Sequence, residues 1–277
     1  MSNPFATFNP NTTRWNPNNA LALAYASQLA YSMYDNQPAA PATLTNWNFD
    51  PARFAFLDNK YPGRNTQGFV AANDQMILVA FRGTQANNIW DWMTDADIVL
   101  RPFVAGMVHK GFYDGADSVW DDVLAAIARF QTKGQSLWFT GHSLGAALAC
   151  VAVARLIFEE RKPVNGLYTF GQPRTGDFIF SSAFDHEFED QTFRFVNDSD
   201  IVTRIAPRVL GYSHVGQTLF FDAGGTLQTD NHWWNQFLNA VSVGIEGLNQ
   251  PAVLVKEHAI ALYIANMAKN LATPVDF

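Results

Sequence analysis

Residues 137–156 read LWFTGHSLGAALACVAVARL. Apolar residues lead up to Gly141, a single serine stands between two glycines at Gly141-His142-Ser143-Leu144-Gly145, and a long alanine-rich apolar run follows. The pattern predicts a strand, a sharp corner and a helix from Ser143 to about Phe158. At such a corner side chains on residues 141 and 145 would collide with the neighbouring helix and strand. The serine is forced into a strained turn with its hydroxyl exposed above the sheet edge. Ala146, Ala147 and Ala149 then permit the helix to pack closely on the sheet.

Working outward, the same alternation recurs. NALALAYASQLAYSMY, from Asn19 to Tyr34, carries apolar residues at helical spacing behind a capping NPNN. QGFVAANDQMILVAFRGT predicts two strands around an Asn-Asp turn, the second ending at Arg82-Gly83-Thr84. GADSVWDDVLAAIARFQTKG predicts one amphipathic helix stopped by Gly134. Strand SLWF, strand GLYTF, a helix near 176–188 and strand TFRFV follow, and a last helix is expected from about Pro251. Strands alternating with helices imply an α/β protein whose mostly parallel central sheet has helices on both faces.

Composition bounds the rest. The chain has 277 residues, 48% of them hydrophobic, and shows no linker, repeat or low-complexity run, so residues 1–277 are expected to form one domain. A formal charge of −7 disfavours a nucleic-acid partner and electrostatic docking on anionic lipid. The 23 Phe and 8 Trp read first as a bulky core and second as an apolar binding surface. With one cysteine, Cys150, no intrachain disulfide or thiolate metal cluster can form, and the thiol is expected to be buried and inert. The start MSNPFATFNP lacks a signal pattern and no apolar run suits a membrane span. The expectation is a soluble protein, cytoplasmic or exported with its signal removed.

A serine hydroxyl becomes a nucleophile when a base takes its proton and an acid orients that base. On a strand–serine–helix corner the chain order is serine, acid, histidine. His109, His142 and His186 stand on or before the wrong elements, leaving His214, His232 and His258. His214 follows the candidate acids closely, whereas His258 stands where a base can reach back over the sheet, so His258 is preferred. For the acid, RFVNDSDIVTRIAP offers Asp198 and Asp200, which spacing does not separate. Leu144 N–H, at the start of the helix, would point at a developing oxyanion. Asp222, Asp230 and His232 could suggest a cation site but read first as a solvated loop, and chemistry at an activated serine requires neither metal nor organic cofactor.

With VAFRGT, WDWMTDADIV, VHKGFYD, FTGHSLGAALA, TFGQPRTGD, RFVNDSDIVTRIAP, GYSHVG and EHAIALYI in this order, the chain resembles the class 3 lipase family over about residues 70–265. The resemblance implies an α/β-hydrolase fold, Ser143 as nucleophile, Asp200 (the acid directly before Ile-Val) as orienting group and His258 as base. It implies Thr84 beside Leu144 in the oxyanion hole. Thr203 stands where the family carries proline, which implies a less rigid loop. The secreted fungal members carry disulfides that this chain cannot form, which leans toward a bacterial-like intracellular or differently exported protein.

The resemblance also implies a lid at about 84–100. Ile89, Trp90, Trp92 and Met93 there would form an apolar stripe on a helix, either core-facing or opening at a lipid–water interface. The implied function is hydrolysis of acylglycerol esters through an acyl-enzyme. A phospholipase A1 or feruloyl-type esterase fits the same motifs, and a non-catalytic binding module on this fold is the alternative from another class.

Overall fold

The computed structural model describes residues 3–32, 39–59, 66–84, 99–198, 200–206, 208–228, 258–273 and 275. Two helices open the chain, α1 (Pro17–Ser32) and α2 (Ala39–Asn46). Asn16 Oδ1 accepts the N–H groups of Asn18 and Asn19, which caps α1 at 2.9 and 3.1 Å. Strands β1 (Phe54–Asp58), β2 (Gln67–Ala72) and β3 (Met76–Phe81) follow, then short β4 (Leu100–Pro102) and β5 (Met107–His109). Helices α3 (Lys110–Asp117) and α4 (Trp120–Phe130) lead to β6 (Ser136–His142), α5 (Leu144–Phe158) and β7 (Gly166–Phe170). Next come β8 (Gly176–Asp177), α6 (Phe178–Phe188) and β9 (Thr192–Asn197). Two 3₁₀ turns, Ile201–Arg204 and Arg208–Leu210, precede β10 (Tyr212–Ser213), β11 (Gln217–Phe221), β12 (Leu227–Gln228) and α7 (Ile260–Lys269).

Among the described residues the main sheet runs β1-β2-β3-β6-β7-β9-β11-β12. Its central neighbours β3, β6, β7, β9 and β11 pair in parallel, while β1, β2 and β12 pair antiparallel at the edges. Alternation along each strand feeds two cores. Ile77, Val79, Phe81, Leu137 and Phe139 point to the face covered by α3, α4, α5 and α6. Leu78, Ala80, Trp138, Tyr168 and Phe170 point to the face covered by α1, α2 and α7. The central strands therefore read as unbroken apolar runs, because both of their faces are dry.

The aromatic excess mostly fills these cores. Phe5 packs on Phe8, Trp47 and Phe49, while Trp15 packs on Tyr168, Phe193 and Phe195. Cys150 is fully buried, which pushes its thiol up to about 12 and keeps it protonated.

Two sequence expectations are corrected, and one further feature is added. The helix expected across 115–134 is two helices: Ser118 Oγ folds back onto the Gly115 carbonyl at 2.6 Å, and buried Val119 (φ −125°, ψ 11°) breaks the run. The second piece stops at Phe130, and Gly134 (φ 71°) makes the later turn into β6. Extended Ala259 precedes α7, so this helix starts at Ile260, with His258 just ahead of it; residues 251–257 lie outside the described residues. A second sheet, ordered β10-β8-β5-β4, was not anticipated, since strands of two or three residues carry no readable period.

Candidate active site

Parallel pairing aligns the strand ends. Phe81 is opposite Gly141, His142 opposite Phe170, and Phe170 opposite Phe195. The segments leaving these strands, Arg82-Gly83-Thr84, Ser143 and the turn to Asp200, therefore gather at one edge of the sheet.

Ser143 sits at the corner between β6 and α5 with φ 60° and ψ −131°, a region that costs a non-glycine residue roughly 1–3 kcal/mol. Its N–H donates to the Phe170 carbonyl at 3.0 Å and its carbonyl accepts from Ala146 N–H, which hold the turn. The flanking glycines are required by close approach. A Cβ on Gly141 would lie 2.2 Å from the Gly145 carbonyl oxygen, and one on Gly145 would lie 2.3 Å from the Phe81 carbonyl oxygen. Leu144 is the first residue of α5, where N–H groups have no partner inside the helix. A Cβ on Gly83 would fall 3.0 Å from Ser143 Cβ, so the backbone leading to Thr84 runs directly against the serine.

On the other side of the serine, His258 Nδ1 meets both carboxylate oxygens of Asp200, at 2.9 and 2.8 Å. A carboxylate accepts, so Nδ1 carries the proton and Nε2 keeps its lone pair. Asp200 is fully buried and also accepts Val202 N–H at 2.9 Å and the Tyr263 hydroxyl at 2.5 Å. Burial, the nearby Asp200 charge and this bond hold the Tyr263 phenol well above its ordinary range, so it stays a donor. Thr203 Oγ1 donates to the Asp200 carbonyl at 2.8 Å, a closure that a proline at this position would not make.

Two further residues support the histidine from behind. His142 Nε2 lies 2.6 Å from the His258 carbonyl oxygen, and His142 Nδ1 lies 2.8 Å from the Tyr31 hydroxyl. Since a carbonyl accepts, Nε2 donates, and Nδ1 must accept from Tyr31. Burial, then the neighbouring His258, pushes the His142 pKa well below its ordinary value and keeps the ring neutral. The two imidazoles pack with centroids 4.4 Å apart, which puts His258 beside the residue preceding Ser143.

Of the residues singled out from sequence, Ser143, Leu144, Asp200 and His258 come to this edge, and Thr84 leaves β3 beside them. Asp198 is partly exposed in the turn after β9, and His214 lies elsewhere, in an arginine-lined cavity. His232 and the lid candidates Ile89, Trp90, Trp92 and Met93 lie outside the described residues. Sequence reasoning missed Tyr31, His142 and Tyr263 as members of the hydrogen-bonded group. The available signal was His142 inside the serine corner and Tyr263 one helical turn and a little beyond His258.

Residues 78–210 match the family model described as lipase (class 3). A lipase of Caenorhabditis elegans, ZK262.3, is 29% identical over 74% of this chain and 60% of its own length. The secreted mono- and diacylglycerol lipase 1 of Fusarium solani is 35% identical over 56% of this chain and 46% of its own length. Among solved structures, the Rhizomucor miehei lipase propeptide complex superposes with TM-score 0.62 at 25% identity, covering 77% of this chain and 69% of that one. The chain thus spans about half the length of the curated relatives it matches. Residues 78–210 thus carry the match to the class 3 lipases, and the chain is built on the α/β-hydrolase fold of the fungal lipases.

Proposed function

We propose that the chain is a carboxylic ester hydrolase acting on acylglycerols, with Ser143 as nucleophile, His258 as base and Asp200 as the group that orients and charge-balances the histidine. The observation that carries this reading is a pair of orphaned atoms. Ser143 Oγ and His258 Nε2 are both buried, and neither has a hydrogen-bond partner among the described residues. Buried polar atoms are normally satisfied, so each exception calls for an explanation. These two are the atoms that a proton transfer from serine to histidine requires.

As Ser143 Oγ attacks the ester carbonyl carbon, its proton passes to His258 Nε2, and the imidazolium is stabilised by Asp200 through Nδ1–H. The carbonyl oxygen becomes an oxyanion facing the N–H groups of Leu144 and Thr84, each such donor contributing about 3 kcal/mol. His258 returns the proton to the alkoxide, the alcohol leaves, and an acyl-serine forms. Water deprotonated by His258 then attacks the acyl carbon, releasing the acid and restoring the serine. The same chain residues suffice for a phospholipid or an aromatic ester, so substrate class is read by rate and not by the triad.

The test compares p-nitrophenyl butyrate, emulsified triolein and phosphatidylcholine for wild type and Ser143→Ala. Hydrolysis that falls by at least about three orders of magnitude in the variant supports the reading. Fastest turnover of triolein assigns acylglycerols, whereas fastest turnover of phosphatidylcholine moves the assignment to a phospholipase. Equal inactivity of both proteins on every ester would return the chain to the class of binding modules.

A further inference from the structure

A cavity of about 280 Å³ opens behind the Asp200 turn, lined by Arg174 from the β7–β8 connection, Arg194 from β9, Arg208 and His214. One face of α6 completes the wall with Phe178, Ser181, Ser182 and the cavity's one lining carboxylate, Asp185. Three guanidinium groups thus share a small space with one carboxylate, in a chain whose formal charge is −7. Among the described residues neither Arg174 nor Arg208 forms an ion pair with a carboxylate. Arg174 Nη1 spends its bonds on the carbonyls of Arg204 and Ala206, at 2.9 and 3.3 Å, which aims the guanidinium without neutralising it.

The titration behaviour reports the same imbalance. Burial, then the charges of Arg208 and Arg204, brings Arg174 down to about 10, and burial with Arg174 brings Arg194 down to about 9. Both remain cations at neutral pH, held against their own desolvation and mutual repulsion. His214 is kept neutral by burial and by Arg194 and Arg174, so it offers a neutral donor. Planar guanidinium forks with serine hydroxyls beside them match a tetrahedral oxyanion.

The rim says what the anion is attached to. Phe178, at the cavity wall, is 72% exposed, and Ile179 next to it is 63% exposed. Immediately after Arg208, Val209 is 90% and Leu210 is 53% exposed. The pairing of Tyr212 with Asp177 holds the segments bearing Phe178 and Leu210 side by side, and the two segments follow β7 and β9, whose ends align with His142 beside Ser143. The volume falls below the roughly 300–1,000 Å³ of pockets that enclose a whole ligand, so a headgroup fits and its chains stay outside. We propose that this cavity binds the phosphate of an anionic phospholipid, whose acyl chains rest among Phe178, Ile179, Val209 and Leu210, and thereby seats the Ser143 edge on a lipid surface.

This inference goes beyond ester hydrolysis and is tested without it, using the full chain as Ser143→Ala so that no lipid is consumed. Co-sedimentation is measured with phosphatidylcholine vesicles, with and without phosphatidic acid, and with inorganic phosphate as competitor. Phosphatidic acid is expected to tighten binding at least about tenfold, inorganic phosphate to reverse that gain, and Arg208→Glu to abolish it. Val209→Asp is expected to weaken vesicle binding while calorimetric binding of inorganic phosphate persists. Both positions are exposed, so neither change threatens folding, and the thermal midpoint checks this. Equal binding to neutral vesicles, or anionic binding unchanged in Arg208→Glu, would overturn the proposal. Phosphate binding with no preference for phosphatidic acid would overturn it too, since the site would then serve a free anion.

Discussion

Asp200, the orienting acid of the proposed mechanism, is held by more than its proposed partner His258. Three donors converge on one fully buried carboxylate, from His258, Tyr263 and the Val202 backbone. Asp200→Asn is expected to keep the fold but lower kcat by roughly 10⁴-fold, because an amide in that place favours the wrong imidazole tautomer. Tyr263→Phe removes one charge-assisted bond and leaves Asn197 N–H, which donates to the same hydroxyl at 3.1 Å, without that acceptor. The expected loss is roughly 1.5–3 kcal/mol, read as a fall of several degrees in the thermal midpoint. An unchanged midpoint would show that the phenol contributes nothing. At this scale the serine was legible, since two glycines forced by steric contact leave a mark at fixed spacing. The choice of acid was not legible from spacing, because Asp198 and Asp200 follow the same strand and differ in burial, which is a tertiary property. Tyr31 reaches His142 across 111 residues, a distance at which no local pattern survives.

Among the elements, the β6–α5 corner depends on its glycines in a way that substitution can measure. In Gly145→Ala the new Cβ meets the Phe81 carbonyl oxygen, which is backbone and cannot swing aside. A loss of about 3 kcal/mol and a midpoint lowered by roughly 6–12 °C are expected by calorimetry. A midpoint within a degree of wild type would mean that the helix shifts freely on the sheet. The central strands and their helices were readable because burial on two faces writes long apolar runs. The α3–α4 break was not, since Ser118 and Val119 sit within an otherwise continuous amphipathic pattern and the break is made by a side chain returning to its own backbone. Nor was the role of Thr203: the absent proline suggested slackness, but a hydroxyl hydrogen bond closes the same turn.

For the molecule as a whole, acid stability follows from buried neutral histidines. His142 and His214 both have folded pKa values well below the ordinary 6.5, so below that pH the unfolded chain takes up protons that the folded protein refuses. The sign is a loss of stability as pH falls from about 6.5, at up to about 1.4 kcal/mol per pH unit for each histidine. Asp185, raised to about 6 mainly by burial, acts in the opposite sense between about 6 and 3.8, as one group against two. The thermal midpoint should therefore drop between pH 7 and 5, and His142→Gln should flatten that slope; a profile level over this range would refute the account. Two-sided covering of a mostly parallel sheet was readable from the order of elements. The antiparallel edges were less so, because strand pairing is settled by contacts between distant segments.

The hydrogen bonds from Tyr31 through His142 to the His258 backbone have a consequence for biosynthesis. A ribosome that has delivered the chain through residue 228 has released a finished serine corner, yet the imidazole that would arm it has still to be translated. Under the proposed mechanism the growing polypeptide is chemically inert toward the lipids around it. Competence comes only after His258 is made, when the segment bearing it packs on the His142 ring that Tyr31 of α1 holds in place.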